Sequence, residues 1–406
     1  MKKKSIRFLQ LADLHLDRPL VGGKLKLPYD KAQRRAREFR WALARAIEIA
    51  REEEVDLVLI PGDLWEEDNL QPDTVPFVMD TLGGAGVPVV ISPGNHDYYS
   101  PVSHYSDEIT TARYERRWPE NVHIFRDYNF TTCQPRGLEG VHVTGVAYRS
   151  NQPVTVRRLG ERLELPESGL RLAVIHGSRD DHLPGGKMRT LPFSDEELLA
   201  QPFDYVALGH YHARSSITDG KGKVRGAYSG SPCGMTVDET GPRGCLVGTV
   251  EPGGIAVDEL KFIPLDPRRI FRVRIDISGL QHTSAVEKRV AERLGAEGLD
   301  GEDMALVELE GVFPSGSRIT FGDDFLRETC FHLRIDTSAV RPEWSLDGVE
   351  TLHPRTTEEI FKVRMKEMID EAAARGDETE VERLKNVLYY GLSALHSRPI
   401  QPRQVE

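Results

Sequence analysis

Side chains that bind divalent metal ions recur at one kind of place in this 406-residue sequence, just past an apolar run. Asp13 and His15 follow residues 5–12 (SIRFLQLA), Asp63 follows 55–60 (VDLVLI), and Asn95 and His96 follow 87–91 (VPVVI). His176 comes directly after 170–175 (LRLAVI), and His210 and His212 come after 204–208 (DYVAL). Carboxylate, imidazole and carboxamide oxygen are all ligands for first-row divalent ions. One histidine in such a place is ordinarily a core or surface residue. Five repeats of the placement point to a shared site, because ligands of layered α/β sheets collect where the carboxyl ends of strands converge.

The spacing within each group sharpens the chemistry. Asp-x-His and His-x-His set two donors on one side of an extended backbone, whose side chains alternate with period two. Asp63 stands alone at its strand end and has two oxygens, which makes it the natural bridge between two ions roughly 3.5–4 Å apart. A pair of cations so held suits a phosphate ester: it polarises phosphoryl oxygens, activates a bridging water and neutralises charge in an in-line displacement. The turn Pro93-Gly94-Asn95-His96-Asp97 adds an imidazole beside a carboxylate, the arrangement of a general acid whose tautomer Asp97 would hold. Glycines ahead of Asp63, Asn95 and His210 allow sharp turns and close backbone approach.

The elements that must position these residues follow from hydrophobic spacing. The apolar runs named above read as buried strands, with helices over 31–53 (Phe39, Leu43, Ile47 and Ala50 on one face), 73–82 and 107–117. Further strands are expected at 122–125, 141–148, 222–228, 245–250 and 255–262. Strand–helix alternation early and hairpins later predict an α/β fold, a two-sheet αββα sandwich over residues 1–265. Pro264-Leu265-Asp266-Pro267 reads as a linker. Beyond it, strands at 270–278, 305–311 and 331–337 with a helix at 284–294 predict a small α+β domain over 266–345. Residues 346–406 read as a helical tail: one helix over 360–375 stops at Gly376, and Asp377-Glu-Thr-Glu380 resembles a capping box opening a second. Val381, Leu384, Leu388, Leu392 and Leu395 line one side of that second helix. The stripe either packs on the chain itself or meets a partner.

The composition, 39% hydrophobic and 29% charged, suits a globular protein with a large core. An apolar run of roughly 18 residues, the length a membrane span needs, does not occur. Arg7, Gln10, Asp13 and His15 break what would be the apolar core of a leader peptide. Cys133, Cys233, Cys245 and Cys330 form no C-x-x-C pair, which argues against a zinc knuckle or a disulfide framework and fits a reducing, cytoplasmic setting. A net charge of -11 is awkward for a protein that would bind a polyanion. The charge is uneven, however: residues 1–54 hold 14 Lys and Arg against 8 Asp and Glu. That region could offer phosphates a landing surface, although Arg34, Arg35, Arg37, Arg40 and Arg45 read more readily as the solvated face of a helix.

Asp13-x-His15, Gly62-Asp63, Gly94-Asn95-His96-Asp97, His176 and Gly209-His210-x-His212 together resemble the calcineurin-like metallophosphoesterase superfamily, in its motif order, over residues 5 to 260. Ala-Asp-Leu-His-Leu (12–16), Gly-Asp-Leu-Trp (62–65), Gly-His-Tyr-His (209–212) and Tyr-Ser-Gly-Ser-Pro (228–232) are similar to its SbcD-type DNA repair exonuclease branch. The resemblance implies one metal held by Asp13, His15, Asp63 and His212 and a second held by Asp63, Asn95, His176 and His210. It implies His96 as the acid for the leaving oxygen, with Asp97 behind it. Manganese is the family's usual metal; the mixed N/O donor set by itself also admits iron or zinc. Glu66 stands where some nuclease relatives carry His or Asp, and Asp17 has no assigned role.

The expectation is therefore a metal-dependent DNA exonuclease acting in double-strand-break repair or recombination. Arg18, Lys24 and Lys26 would be the substrate contacts, and the domain after residue 267 would face the DNA. By analogy with that branch, an SbcC-like coiled-coil ATPase would dock on the helices at 357–396; a homodimer is a further assembly left open. The alternative is a phosphatase or cyclic-nucleotide phosphodiesterase acting on a small ester, which the ligands alone do not distinguish.

Overall fold

The computed structural model describes residues 5–22, 25–180, 189–315, 317–344, 346 and 356–396. It divides into two compact units, Met1–Phe271 and Arg272–Glu406. The first opens with β1 (Ile6–Gln10), α1 (Tyr29–Glu52), β2 (Leu57–Ile60), α2 (Thr74–Gly83), β3 (Val89–Ile91), α3 (Asp107–Tyr114) and β4 (Val122–Ile124). It continues with β5 (Thr131–Cys133), β6 (Val141–Gly145), β7 (Leu170–His176), α4 (Asp195–Ala200), β8 (Tyr205–Gly209) and β9 (Ser215–Thr218). It closes with β10 (Lys223–Tyr228), β11 (Gly244–Val250), β12 (Ile255–Ala256) and β13 (Lys261–Pro264).

Two sheets result, ordered β13-β11-β1-β2-β3-β4 and β12-β10-β8-β7-β6-β5, with β9 pairing β10. In the first, β1 to β4 run parallel, and in the second β6, β7, β8 and β10 do. Period-two alternation sorts the side chains. Ile6 and Phe8 of β1, Leu57 and Leu59 of β2, and Val90 of β3 meet Leu170, Leu172 and Val174 of β7 and Tyr205 and Ala207 of β8 in one core. Ala173 and Ile175, of opposite parity on β7, join Leu191, Phe193, Leu198 and Val206 on the other face. The expected α/β sandwich is the observed fold.

A polar residue crosses that core. Gln10, fully buried and in the same parity as Ile6 and Phe8, donates from Nε2 to the carbonyls of Leu208 (3.1 Å) and Ala227 (2.8 Å) and accepts from Tyr205 Oη at 2.7 Å. It satisfies its hydrogen-bonding capacity across the sheets directly below the donor-bearing turns.

Two sequence expectations are corrected. The continuous strand over 255–262 is broken, because its halves serve different sheets: β12 pairs with β10 and β13 with β11. The Pro264–Pro267 stretch is not a loose linker. Leu265 is buried, and Asp266 grips the buried guanidinium of Arg35 on α1 through two 2.6 Å hydrogen bonds. Just beyond, Arg268 binds Glu38 of the same helix at 2.6 Å. The short α4, not anticipated, is opened by a capping box between Ser194 and Glu197.

β14 (Ile270–Asp276) leads into the second unit, followed by α5 (Thr283–Ala296), β15 (Met304–Pro314), α6 (Asp323–Glu328), β16 (His332–Glu343), α7 (Thr357–Ala374) and α8 (Glu378–Leu395). The strands form a sheet ordered β14-β15-β16, with β15 and β16 parallel. At Asp377 half of the expected capping box is present: its carboxylate accepts from Glu380 N at 3.0 Å, while its own N–H closes α7 on Ala372 O. Leu384, Leu388 and Leu392 pack against Met365 and Ala372 of α7, with Val381 alongside, so most of the α8 stripe is covered by its own hairpin neighbour while Leu395 at its end stays exposed.

Removing Asp266 would leave Arg35 charged and buried without its main partner, a change that costs about 3–5 kcal/mol in comparable sites. Asp266→Ala should lower the urea midpoint accordingly. The paired change Arg35→Met with Asp266→Leu should recover much of the loss, as measured in the same denaturation series.

Candidate metal centre

The turns leaving β1, β2, β3 and β8 and the last residue of β7 carry all of the predicted donors, and hydrogen bonds zip the first two turns together. Asp13 N donates to Gly62 O at 3.1 Å, His15 N to Asp63 O at 2.9 Å and Leu16 N to Leu64 O at 2.9 Å. Asp13, His15, Asp63 and His210 take φ of 53°, 47°, 55° and 101°. Residues with a Cβ seldom occupy this region, which costs on the order of 1–3 kcal/mol and persists where surrounding structure enforces it. The period-two account is therefore corrected: Asp13 and His15 are both left-handed and not extended, and in His210-x-His212 the first donor, His210, departs from extended backbone in the same way. Close approach is equally demanding at Gly62 (φ 80°), where a Cβ would lie 2.7 Å from Gly94 N and 2.8 Å from His176 Nδ1.

All seven predicted ligands come together. Donor atoms of Asp13, His15 and His212 lie within 4.8 Å of one another, as do those of Asp13, Asp63 and His176. Asp63 Oδ2 faces His15 Nε2 at 3.5 Å and His176 Nε2 at 3.2 Å, so one carboxylate oxygen sits between the two groups. Asn95 Oδ1 is 3.1 Å from His176 Nε2, and the His210 ring packs edge-on against His176 with centroids 5.1 Å apart. His15 Nε2 is buried and has no hydrogen-bond partner among the described residues. Buried polar atoms are normally satisfied; a nitrogen left open toward a carboxylate fits a metal ligand. Two divalent ions held by this set would polarise phosphoryl oxygens and lower the pKa of a water between them.

The structure reassigns Asp97. Its Oδ1 accepts from Gly94 N (2.6 Å) and Asp63 N (3.0 Å), and its Oδ2 accepts from Leu64 N (2.8 Å) and Tyr105 Oη (2.7 Å). It is wholly buried and tied to backbone, so it shapes the two turns and does not hold the His96 ring. Burial, with the nearby charge of Asp63, raises its pKa against those donors. The ring is held by Glu66, whose Oε2 is 2.7 Å from His96 Nδ1 and whose Oε1 is 2.9 Å from His15 Nδ1. A carboxylate accepts only, so both imidazoles donate from Nδ1 and turn Nε2 away from Glu66. Burial works against Glu66 ionising, but the hydrogen bonds from His15 and His96 prevail and keep its pKa well below the usual carboxylate range.

The same forces separate the two rings. Burial lowers the pKa of His15 despite Glu66 and Asp63, favouring the neutral form a ligand needs. At His96, burial is outweighed by Glu66 and Asp63 and the pKa rises, favouring the protonated form a general acid needs. His96 keeps 39% of its side chain exposed, while that of His15 is 1% exposed.

The donors open onto a cleft of about 780 Å³ whose wall includes Arg18, Leu20, Leu25, Pro153 and Met235. Arg18 is thus at the site, 4.0 Å from Glu66 Oε1. Lys26 is exposed and lies outside the cleft lining, and Lys24 falls outside the described residues. Asp17 accepts from Gln71 N at 2.9 Å and from the Thr74 hydroxyl, bracing the start of α2. Sequence reasoning gave Glu66 no role, although it lies three residues after Asp63. It missed Glu239 entirely: its Oε1 is 2.7 Å from His212 Nδ1, and no motif marks it.

Buried carboxylates and imidazoles gather at the strand ends of an α/β sandwich, a donor set that fits divalent metal ions. The chain belongs to the calcineurin-like phosphoesterase family, whose profile matches residues 6–214. It is similar to the uncharacterized metallophosphoesterase YhaO of Bacillus subtilis (strain 168), at 29% identity over 267 residues. That match covers 62% of this chain, and the chain spans 59% of the relative's length. Among solved structures it resembles TT1561 of Thermus thermophilus (12% identity, TM-score 0.34, covering 61% of this chain and 98% of that one). It also resembles a dimetal phosphatase from Danio rerio (14% identity, TM-score 0.34, covering 60% and 91%). Overlaps that loose add nothing to the family match. No helix among the described residues is long and apolar enough to cross a membrane.

In the metal-free protein burial pushes His176 down, but Asp63 outweighs it and lifts the pKa to about 9. That interaction stabilises the metal-free fold below an unfolded histidine's pKa of about 6.5 and is lost as pH rises through 9. Metal binding near pH 7 should then expel about one proton from this ring. Calorimetric titrations in buffers of different ionisation heat should show the release at pH 7 and a smaller one above pH 9.

Proposed function

We propose that the protein is a divalent-metal-dependent DNA exonuclease of the SbcD type, using manganese and acting in double-strand-break repair or recombination. The observation that carries the reading is a second cavity, of about 490 Å³, adjoining the metal cleft. Arg18, Pro19 and Leu20 line both cavities, and the second adds Arg37, Arg40, Gln33, Asn69 and Gln71. Arg40 is occupied by Asp73 at 2.6 Å, and Arg37 is exposed. A small ester would fill only the first cavity. A strand with one phosphate at the metals would continue toward the second cavity along the shared wall of Arg18, Pro19 and Leu20, and the apolar wall of Leu20, Leu25 and Met235 suits a sugar or base. His96, held by Glu66, would protonate the leaving alkoxide, a poor leaving group that needs such help.

The net charge of -11 favours a different reading, a phosphatase or cyclic-nucleotide phosphodiesterase, since an acidic chain repels a long polyanion. The nuclease reading answers it with a partner. An SbcC-like ATPase docked on α7 and α8, where Ile360, Val387 and Leu395 remain exposed, would add basic surface. Self-association as a homodimer is compatible with the same role.

Hydrolysis of an end-labelled oligonucleotide and of bis(p-nitrophenyl) phosphate, both with manganese, separates the readings. Arg37→Ala should weaken oligonucleotide hydrolysis, raising KM and flattening its salt dependence, and leave the small diester unaffected. His96→Ser should retain bound metal and lose about 10²–10⁴-fold in turnover on DNA. Hydrolysis of both substrates unchanged by Arg37→Ala, or no DNA cleavage by the wild type, favours the small-ester enzyme.

A further inference from the structure

We propose that Glu239 is the positioning residue for His212 and that it sets the affinity of one metal position and not the other. This rests on the metal-binding reading of the cleft and is independent of the substrate. Glu239 lies beyond residues 6–214, the span of the family match, in the segment between β10 and β11.

That segment grips His212 at both ends of the residue. Ser231 N donates to His212 O at 3.1 Å, and the Arg243 guanidinium donates to the same carbonyl. Gly230, at φ 75°, approaches so closely that a Cβ would lie 2.6 Å from His212 O. Glu239 Oε1 then meets Nδ1 of the ring at 2.7 Å, while its Oε2 accepts from Met235 N at 2.7 Å. With both oxygens engaged, the carboxylate cannot swing away. The Glu239 and His212 side chains are each 11% exposed. Because the carboxylate only accepts, the ring proton is drawn to Nδ1, and Nε2 is the nitrogen left to bind a cation.

The two donor groups differ in what stands behind their imidazoles. In the group of Asp13, His15 and His212, two rings lean on carboxylates, His15 on Glu66 and His212 on Glu239. In the other group, His176 Nδ1 leans on the neutral carbonyl of Pro61 at 3.0 Å. A carboxylate partner raises the basicity of a ligating ring and fixes its direction, so Glu239 acts on the first position alone.

The test uses manganese binding to the metal-free protein, followed by calorimetry and electron paramagnetic resonance, in two backgrounds. His176→Ala removes a donor from the position Glu239 does not serve. There, Glu239→Ala should weaken the remaining ion by roughly 10–100-fold, and Glu239→Gln by less because its amide oxygen still accepts. In the His15→Ala background, where the remaining ion relies on Asp63, Asn95, His176 and His210, Glu239→Ala should leave affinity unchanged. An unchanged affinity in the first background, or equal losses in both, overturns the proposal. Should the alanine variant not fold, Glu239→Gln is read by the same criteria. The ¹⁵N spectrum of wild-type histidines gives a metal-free check: His212 protonated at Nδ1 is expected, and protonation at Nε2 overturns the assignment. Failure of the wild type to bind manganese would overturn the proposal together with the metal reading itself, and DNA cleavage results bear on neither.

Discussion

One buried carboxylate holds the site's geometry together. Asp97 takes backbone N–H groups from Asp63, Leu64 and Gly94 and the hydroxyl of Tyr105, binding the turn after β2 to the turn after β3. Those turns carry Asp63 and Asn95, and Asp63 Oδ2 is the atom that both histidine groups face. Backbone held at positive φ at Asp13, His15 and Asp63 would relax if it were not over-determined in this way. The chemistry at the mouth of the cleft is thus supported by a residue that does none of it.

Much of the fold was legible because period-two spacing on buried strands is a strong signal. Leu170, Leu172 and Val174 enter one core and Ala173 and Ile175 the other, as their sequence parity requires. The donors were legible for a related reason: they follow apolar runs immediately, and parallel strands deliver their ends to one edge. What stayed hidden was relational. Asp97 follows His96 directly, so adjacency suggested a dyad, yet the turn points the carboxylate inward at backbone and leaves the ring to Glu66. Glu239 reaches His212 across 27 positions of sequence in an irregular segment, where no periodicity could announce it. The break within 255–262 was hidden likewise, since strand propensity does not say which sheet a strand will join.

Two glutamates therefore stand directly behind the candidate metal ligands. Glu66 serves a ring in the ligand set and the ring of the expected acid with one carboxylate, linking the orientation of His15 to that of His96. The pKa directions that result, down for His15 and up for His96, pull apart two imidazoles whose centroids are 4.7 Å apart. Burial is the deciding difference: the pKa rises at the more exposed ring and falls at the fully buried one.

The clasp between Arg35 and Asp266 bears on how this chain can be divided. Asp266 also accepts from Gly234 N at 2.7 Å, and Arg35 donates to Gly234 O at 2.8 Å, so the clasp anchors the very segment that bears Glu239. Trimming the polypeptide at residue 265, where composition alone would place a border, discards Asp266 and Arg268 and strands a guanidinium in the interior. A truncated hydrolase built to study the sandwich by itself has to run past Arg268, or it will lose the footing of its own metal cradle.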